Sequence, residues 1–254
     1  LCITSRKPQT TRHTLLGIKT NDNIQMIFVD TPGIHTNQER AINRVMNRSA
    51  ASVISDVDLV IFVVDRFEWS EADEYVAKYL SNNKVPLIVA LNKVDMIEDK
   101  KALLPHLEFL SSKVNAVELI PLSALRKTNL AELEEKIKSY IPQKDHLFPE
   151  DQITDRSERF LAAEIVREKI TRQLGAEVPY QVTVEIEEFR VEGKITYIDA
   201  LILVERDGQK KIIIGTKGER IKKIGEQSRA DIENLLDSKV MLRTWVKVRS
   251  GWSD

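Results

Sequence analysis

The residues Asn92 to Asp95, with the sequence Asn-Lys-Val-Asp, combine side chains with a specific binding chemistry. They directly follow the apolar run Pro86 to Leu91, which predicts a buried strand. A carboxylate at that strand end can accept two hydrogen bonds from guanine, one from the ring N–H and one from the exocyclic amine, whereas adenine has no such pair of donors. Charge-assisted bonding at two points is strong and geometrically selective. The motif therefore predicts a guanine site, although a match this short also arises by chance.

A second polar motif, Asp30 to Gly33, ends another predicted strand, Gln25 to Val29. The Asp30 carboxylate can hold Mg²⁺ directly or through water, and the Gly33 N–H can reach a terminal phosphate because glycine lets the backbone come close to a ligand. The alternative is an ordinary turn, since Asp-Thr-Pro-Gly is common turn chemistry. Its occurrence together with Asn92 to Asp95 favours phosphate binding.

Two weaker signals extend this site. The pair Ser123-Ala124 follows the predicted strand Val117 to Leu122, where a backbone N–H can meet the base oxygen, and the Thr11 hydroxyl can ligate Mg²⁺ once a terminal phosphate is present. Plain loops are the alternative in both places. The predicted nucleotide contacts are Asp30, Thr31, Pro32, Gly33, Asn92, Lys93, Asp95, Ser123 and Ala124.

These motifs are carried by short apolar strands that alternate with amphipathic helices. Such alternation predicts a mostly parallel sheet with helices on both faces. Ligands of such sheets bind at the carboxyl ends of the strands, where Asp30, Asn92 and Ser123 fall. The predicted elements are a hairpin of Thr14 to Thr20 and Ile24 to Asp30, helix Arg40 to Ile54, strand Leu59 to Asp65, helix Ser70 to Ser81, strand Pro86 to Leu91, helix Lys100 to Val114, strand Val117 to Leu122 and helix Leu130 to Tyr140.

Composition sets the class of protein. The chain has 254 residues, of which 42% are hydrophobic and 30% charged, with a net charge of −1. This is typical of a globular protein with a buried core and gives no overall charge signal for nucleic acid or membrane. The single cysteine, Cys2, excludes an internal disulfide and favours a reducing compartment, and the longest apolar run, Leu59 to Val64, is too short to span a bilayer. Because the first residue is Leu1 rather than methionine, we expect a truncated start.

The pattern changes after the first half of the chain. Ile141 to Pro149 contains two prolines and no periodicity, which predicts a boundary between a domain of residues 1–145 and one of residues 146–254. The second is predicted to be an α+β module. Its elements are helix Ser157 to Leu174 ended by Gly175, strands Gln181 to Arg190, Ile195 to Glu205 and Lys210 to Ile214, a helix from about Gly218, a separate helix Arg229 to Leu236, and strand Val240 to Val248.

The Gly-Thr-Lys-Gly segment Gly215 to Gly218 is the functional candidate of this module. Two glycines let a loop approach a sugar–phosphate backbone, and the N terminus of the following helix favours phosphate. From Arg206 to Lys223, seven basic and two acidic residues give +5 in a chain that sums to −1. A plain left-handed turn on a solvated charged face is the alternative, but this concentration of charge favours RNA binding.

We expect an apolar groove for unstacked bases beside that loop, floored by Ile214, Ile221 and Ile224. The predicted RNA contacts are Gly215, Thr216, Lys217, Gly218, Arg220, Lys222 and Lys223.

Together these motifs resemble a known family. Thr11, Asp30 to Gly33, Asn92 to Asp95 and Ser123-Ala124 are similar, in that order, to the second to fifth motifs of translation-factor-class GTPases. The stretch Arg6 to His13 and the second half of the chain resemble the Era family, KH-domain-containing GTPases of the TrmE–Era–EngA-like group. The resemblance extends over essentially the whole chain.

The resemblance implies a P-loop GTPase-like fold followed by a prokaryotic-type KH domain. It implies GTP and GDP as ligands and Mg²⁺ held by Thr11 and Asp30, with Thr11, Asp30 and Gly33 as the catalytic candidates. It further implies binding to 16S rRNA near its 3′ end, assistance in 30S ribosomal subunit assembly and a cytoplasmic location, with a weak peripheral contact to the inner membrane left open.

One motif of the class is absent. No Gly-x-x-x-x-Gly-Lys-Ser/Thr loop occurs in the 254 residues, although this loop supplies N–H groups and a lysine to the phosphates. We expect it just before Leu1 in the full protein. Three hypotheses stay open. The first is a GTPase switch that couples nucleotide state to RNA binding, and the second is a KH-type RNA-binding protein on a GTPase-like scaffold without nucleotide binding. The third is a different GTPase of the same broader group with another RNA target.

The residue after Gly33 leads to a prediction about hydrolysis. Ile34 cannot orient a water molecule by hydrogen bonding, as glutamine does in Ras-like enzymes, so we expect slow intrinsic hydrolysis. In the full-length protein, Ile34→Ala should lower the single-turnover rate of phosphate release less than Asp30→Ala or Thr11→Ala. Comparable losses in all three variants would contradict this assignment.

Overall fold

The computed structural model describes residues 14–31, 52–65, 67–174 and 182–249. Residues 52–56 are helical, and the rest of the predicted helix Arg40 to Ile54, like Gly175, lies outside these ranges. The named elements are β1 (Leu15–Asn21), β2 (Ile24–Asp30), β3 (Val60–Asp65), α1 (Glu71–Ser81), β4 (Leu87–Asn92), α2 (Leu103–Lys113), β5 (Glu118–Pro121), α3 (Leu130–Tyr140), α4 (Glu158–Gln173), β6 (Val182–Glu192), β7 (Ile195–Val204), α5 (Asp207–Ile214), α6 (Glu219–Leu236) and β8 (Lys239–Val248).

Strands β3, β4 and β5 form a parallel sheet in that order, and β1 pairs with β2 in a separate two-stranded sheet. Strand β4 is central and buried from Leu87 to Leu91, as expected for a strand covered on both faces. One face packs against Leu80 of α1 and Leu110 of α2, and the other packs against Ile137 of α3. The prediction of a parallel sheet with helices on both faces is confirmed.

Local side-chain bonds explain where the helices begin. Ser70 caps α1, because its Oγ accepts the Asp73 N–H at 3.2 Å while the Asp73 carboxylate accepts the Ser70 N–H at 2.8 Å. This reciprocal capping box satisfies two donors that a helix start leaves unpaired. Ser157 caps α4 in a similar way, through a bond from the Phe160 N–H at 3.3 Å.

The second half is a three-stranded sheet, with β6 antiparallel and β8 parallel to the central β7. Its core contains side chains of α4, α5 and α6, including Val166, Ile213 and Ile224, packed against β7 residues such as Ile198. The element order is helix, two strands, two helices and strand.

Two sequence predictions are wrong here. Lys210 to Ile214 is not a strand but the last part of α5, and Arg229 to Leu236 is not a separate helix but the end of a continuous α6. The three β-branched residues Ile212, Ile213 and Ile214 favoured a strand, but hydrogen bonds to the side chain of Gln209 start a helix instead. The buried Gln209 Oε1 accepts the N–H groups of Glu205 and Arg206, each at 2.9 Å.

The described residues fall into two compact units. Ile18–Ile153 form one, while residues 154–249 and the first residues of β1 form the other. The predicted boundary between residues 145 and 146 stays a prediction. No helix within the described ranges is both long enough and apolar enough to cross a membrane.

Candidate nucleotide site and nucleic-acid interface

The side chain of Asn92 joins two loops at the carboxyl edge of the parallel sheet. Asn92 is the last residue of β4, and its Oδ1 accepts the Lys93 N–H at 2.7 Å and the Ala124 N–H at 3.0 Å. The loop after β4 is also bonded to the loop after β5 by the Val94 N–H, which donates to the Leu122 carbonyl at 3.2 Å. The structure therefore brings Asn92, Lys93, Ser123 and Ala124 together as predicted.

The loop after β5 is closed on itself. Ser123 is completely buried, its Oγ accepts the Arg126 N–H at 3.0 Å, and its backbone exchanges two hydrogen bonds with Thr128 at 3.2 and 3.0 Å. The Ala124 N–H, predicted to meet a base oxygen, already donates to Asn92. It would have to be shared with that oxygen, so this contact stays a prediction.

Lys93 has a left-handed backbone, with φ 64° and ψ 30°, and precedes the 3-10 turn Val94–Met96. A residue with a Cβ tolerates this conformation only where the surroundings impose it, which is common at functional sites. Its ammonium donates to the carboxylate of Asp65, the last residue of β3 and the register partner of Asn92. Sequence reasoning missed Asp65, although an acidic residue at a neighbouring parallel strand end was the available signal.

The two carboxylate oxygens of Asp95 are available as hydrogen-bond acceptors at the carboxyl edge of the parallel sheet. It is exposed within the 3-10 turn, and no hydrogen bond or ion pair joins its carboxylate to another described residue. An exposed carboxylate on a backbone fixed by Asn92 fits the expected recognition of two guanine donors.

The phosphate and magnesium candidates are described only in part. Asp30 is the last residue of β2 and Thr31 follows it, in the two-stranded sheet rather than in the sheet that carries Asn92. Thr11, Pro32 and Gly33 lie outside the described residues, and so does Ile34.

The Gly215 to Gly218 loop connects two helices, α5 and α6, rather than a strand and a helix as predicted. Gly215 has φ 74° and ψ −179°, and a Cβ built there would lie 2.7 Å from the Cβ of Arg220. Gly218 also has a positive φ, 79°, but a Cβ there would point into open space. The first glycine is therefore required by the fold, while the second leaves room for a ligand.

The predicted RNA contacts divide into two groups. Thr216, Lys217, Lys222 and Lys223 are exposed. Arg220 is half-buried, and its guanidinium donates to the Ile212 carbonyl, which closes the loop from behind. Arg220 therefore shapes the loop in this structure, and its predicted phosphate contact stays a prediction.

The apolar floor differs from the expectation. Ile224 is fully buried in the core and cannot contact a base, and Ile214 and Ile221 pack against the same core. The exposed apolar side chain beside the loop is Ile212, with 43% of its surface accessible. Sequence reasoning missed it because the faces were assigned to a strand instead of a helix.

Comparisons with known proteins define the class. A family model for a 50S ribosome-binding GTPase matches residues 1–93, and a model for the KH domain matches residues 177–253. GTPase Era of Ectopseudomonas mendocina is 59% identical over all 254 residues and 85% of that protein, and GTPase Era of Pseudomonas aeruginosa strain LESB58 is 61% identical over the whole chain and 83% of its own length. These matches define a GTPase that carries a KH domain.

Solved structures agree with this class over almost the whole chain. Era in complex with MgGDPNP and nucleotides 1506–1542 of 16S ribosomal RNA superimposes with a TM-score of 0.94 at 38% identity, covering 99% of this chain and 86% of that one. An Aquifex aeolicus Era variant bound to GDP·AlF₄⁻ gives a TM-score of 0.94 at 37% identity with the same coverage. The chain belongs to the Era family of GTPases, and the expected fold class and GTPase assignment are confirmed.

The exposed Asp95 carboxylate leads to a prediction about base specificity. In Asp95→Asn, one carboxylate oxygen becomes an amide donor that faces a guanine donor, so GTP affinity of the full-length protein should fall about 100-fold. Xanthine carries an oxygen where guanine carries its amine, so xanthosine triphosphate should bind the variant better than GTP. Titrations with both nucleotides measure this, and an unchanged preference for GTP would exclude Asp95 as the base-reading residue.

The two glycines should respond differently to alanine. Gly215→Ala forces a Cβ against Arg220 in a glycine-only backbone region, so the free energy of unfolding should fall by about 3 kcal/mol. Gly218→Ala meets no atom and should cost about 1 kcal/mol, but its methyl group would occupy the open side of the loop and weaken RNA binding. Denaturant unfolding and RNA titration measure both effects. Equal stability losses would contradict the assigned roles.

Proposed function

We propose that this protein is a GTP-dependent RNA-binding factor that binds 16S rRNA near its 3′ end and assists assembly of the 30S ribosomal subunit in the cytoplasm. The observation that carries the proposal is the likeness over 99% of the chain to Era in complex with MgGDPNP and nucleotides 1506–1542 of 16S ribosomal RNA. Two arrangements described above support it, the Asn92-bound strand-end loops and the exposed lysines around Gly218.

Each set of residues has a role in this proposal. Asp95 reads guanine, Asn92 holds the base-binding loops, and Lys93 carries the positive charge beside them. Thr11 and Asp30 would hold Mg²⁺, which when bound neutralises charge on the transferred phosphate. GTP would order the segments around Thr11 and Gly33, and hydrolysis would release them, so RNA binding could respond to the nucleotide.

The RNA interface rests on charge and loop shape together. Lys217 sits at the tip of the loop with φ 50°, and its side chain is exposed. Lys222 and Lys223 follow in the first turns of α6, and the nearest acidic partner of Lys222 is Glu226 at 4.0 Å. These ammonium groups are available to phosphates of an unpaired RNA strand.

A peripheral contact to the inner membrane is a further prediction of the family resemblance.

Replacing Lys217 tests the RNA part of the proposal. Lys217→Asp should lower the affinity of the full-length protein for a 16S rRNA 3′-end oligonucleotide by at least about tenfold and reduce the salt slope of log Kd by about one, because a phosphate contact is lost. Fluorescence anisotropy at several salt concentrations measures both quantities.

Lys84→Asp is the matched control, since it makes the same charge change at an exposed lysine of the other compact unit. It should leave the RNA affinity nearly unchanged. If both variants bind as the parent protein does, the loop is not the RNA site.

A further inference from the structure

Two polar bridges connect α4 to α6, the helix that follows the Gly215 to Gly218 loop. The Lys169 ammonium donates to the Asp231 carboxylate, and the Gln173 amide donates to the Gln227 Oε1 at 2.8 Å. The two bridges are one helical turn apart on both helices: from the first bridge to the second, the residue number rises from 169 to 173 on α4 and falls from 231 to 227 on α6. The two helices therefore run antiparallel across a pair of matched polar contacts.

Lys169 is an unusual residue for a helix interface because its charge is buried. Its side chain is 8% exposed, and that of the neighbouring Glu168 is 11% exposed. Burial alone would lower the pKa of Lys169, but hydrogen bonds to Asp231 and Glu168 outweigh it and raise the pKa above its usual value. Arg172 also donates to Glu168, at 3.0 Å, so both charges of the pair are compensated within the cluster.

Apolar contacts already hold the two helices together. Val166 and Ile170 of α4 share a core with Ile224 and Ile232 of α6, all fully buried. Contacts between aliphatic side chains are non-directional and tolerate small rotations of a helix about its axis. A hydrogen-bonded ion pair is more directional, since a slip of α6 would break the bond from Lys169 to Asp231 and leave that buried ammonium with Glu168 of its own helix as its described partner. The bridges can therefore fix the rotation and register of α6 where the apolar contacts cannot.

The register of α6 matters for the RNA loop. The helix is continuous from Glu219 to Leu236 and begins directly after Gly218. The nine residue steps from Gly218 to Gln227 correspond to a distance of about 13 Å along the helix at about 1.5 Å per step. A tilt of about 5° at the bridges would displace the loop by about 1 Å, and hydrogen bonds to phosphate weaken steeply over such a distance.

We propose that Lys169 is a positioning residue for RNA binding, which through Asp231, and with the help of Gln173 and Gln227, sets the direction in which α6 presents the Gly215 to Gly218 loop. This proposal rests on the proposed RNA-binding function of that loop. Lys169 itself touches no RNA: its ammonium is directed at Asp231 in the helix interface.

The variant Lys169→Met in the full-length protein tests the proposal. Its affinity for an RNA of nucleotides 1506–1542 of 16S rRNA should fall about tenfold, whereas the salt slope of log Kd should stay that of the parent, because no phosphate contact is removed. Lys217→Asp, in contrast, should lose about one unit of slope. Lys136→Met, at a half-buried lysine paired with Glu118 in the other unit, is the matched control and should bind normally.

A double-mutant cycle separates positioning from general damage. Asp231→Asn should weaken binding about as much as Lys169→Met, and the double variant should be no weaker than either, since both remove one bridge. Lys169→Arg keeps a cation opposite Asp231 and should recover most of the affinity. If Lys169→Met does not fold by circular dichroism, Gln173→Leu and Gln227→Leu replace it, because neither leaves a charge unpaired.

Three results would overturn the proposal. The first is that a folded Lys169→Met binds RNA with the parental affinity or, where that variant does not fold, that both glutamine variants do. The second is a salt slope of log Kd reduced by about one, and the third is that the losses of binding free energy add in the double-mutant cycle. Failure of the proposed function would look different. In that case Lys217→Asp would bind this RNA as the parent does.

Discussion

The candidate nucleotide site at the carboxyl edge of the parallel sheet depends on one oxygen atom that accepts two backbone N–H groups. Parallel pairing of β3, β4 and β5 brings their carboxyl ends to one edge, but it does not fix the loops that leave those ends. Asn92 Oδ1 does so, since it binds the N–H of Lys93 in one loop and that of Ala124 in the other. Asp95 stands three residues beyond this junction, so its acceptor pair is held by the backbone rather than by side-chain partners. An exposed carboxylate on a backbone held in this way is suited to a ligand with two donors.

The sequence predicted the structure correctly where a local pattern determines it, and failed where tertiary contacts determine it. The apolar run before Asn92 predicted the buried strand β4 and the candidate site at its end, because an apolar run of this length between polar loops is typical of a buried strand. The same reasoning placed Asp65 at the end of a neighbouring strand but not in an ion pair with Lys93, because that pair depends on the register that sets Asp65 beside Asn92. The isoleucines of α5 were misassigned because intrinsic strand preference is weak and the Gln209 side chain, packed in the interior, starts a helix there.

The same distinction applies to the RNA interface. Basic residues and two glycines between Arg206 and Lys223 indicated a phosphate-binding patch without any knowledge of the fold. The structure separates that patch into side chains that face solvent, such as Lys217, and side chains that form the loop, such as Arg220 with its bond to the Ile212 carbonyl. The count of basic residues cannot distinguish these two groups, because each lysine or arginine adds the same charge to the count whether it faces solvent or forms the loop. Lys169 lies outside this patch, and in our proposal it acts on the patch through helix α6 and Asp231.

Both candidate sites contain left-handed backbone at residues other than glycine. Within the described ranges, the candidate nucleotide loops contain Lys93, Lys127 and Asn129 with φ between 57° and 64°, and the RNA loop contains Lys217 with φ 50°. Each such residue costs on the order of 1 kcal/mol unless its surroundings impose the conformation. The surroundings are visible: Asn92 accepts the Lys93 N–H, Asn129 donates to the Pro121 carbonyl at 2.8 Å, and the Gly218 N–H closes the turn around Lys217 at 3.3 Å on the Gly215 carbonyl. In both units, then, local hydrogen bonds maintain a left-handed turn: the turn at Lys93 carries an ammonium bonded to Asp65, and the turn at Lys217 carries a side chain exposed to solvent. Because backbone strain of this kind is common at functional sites, these two turns, rather than the cores beneath them, are the features that indicate binding.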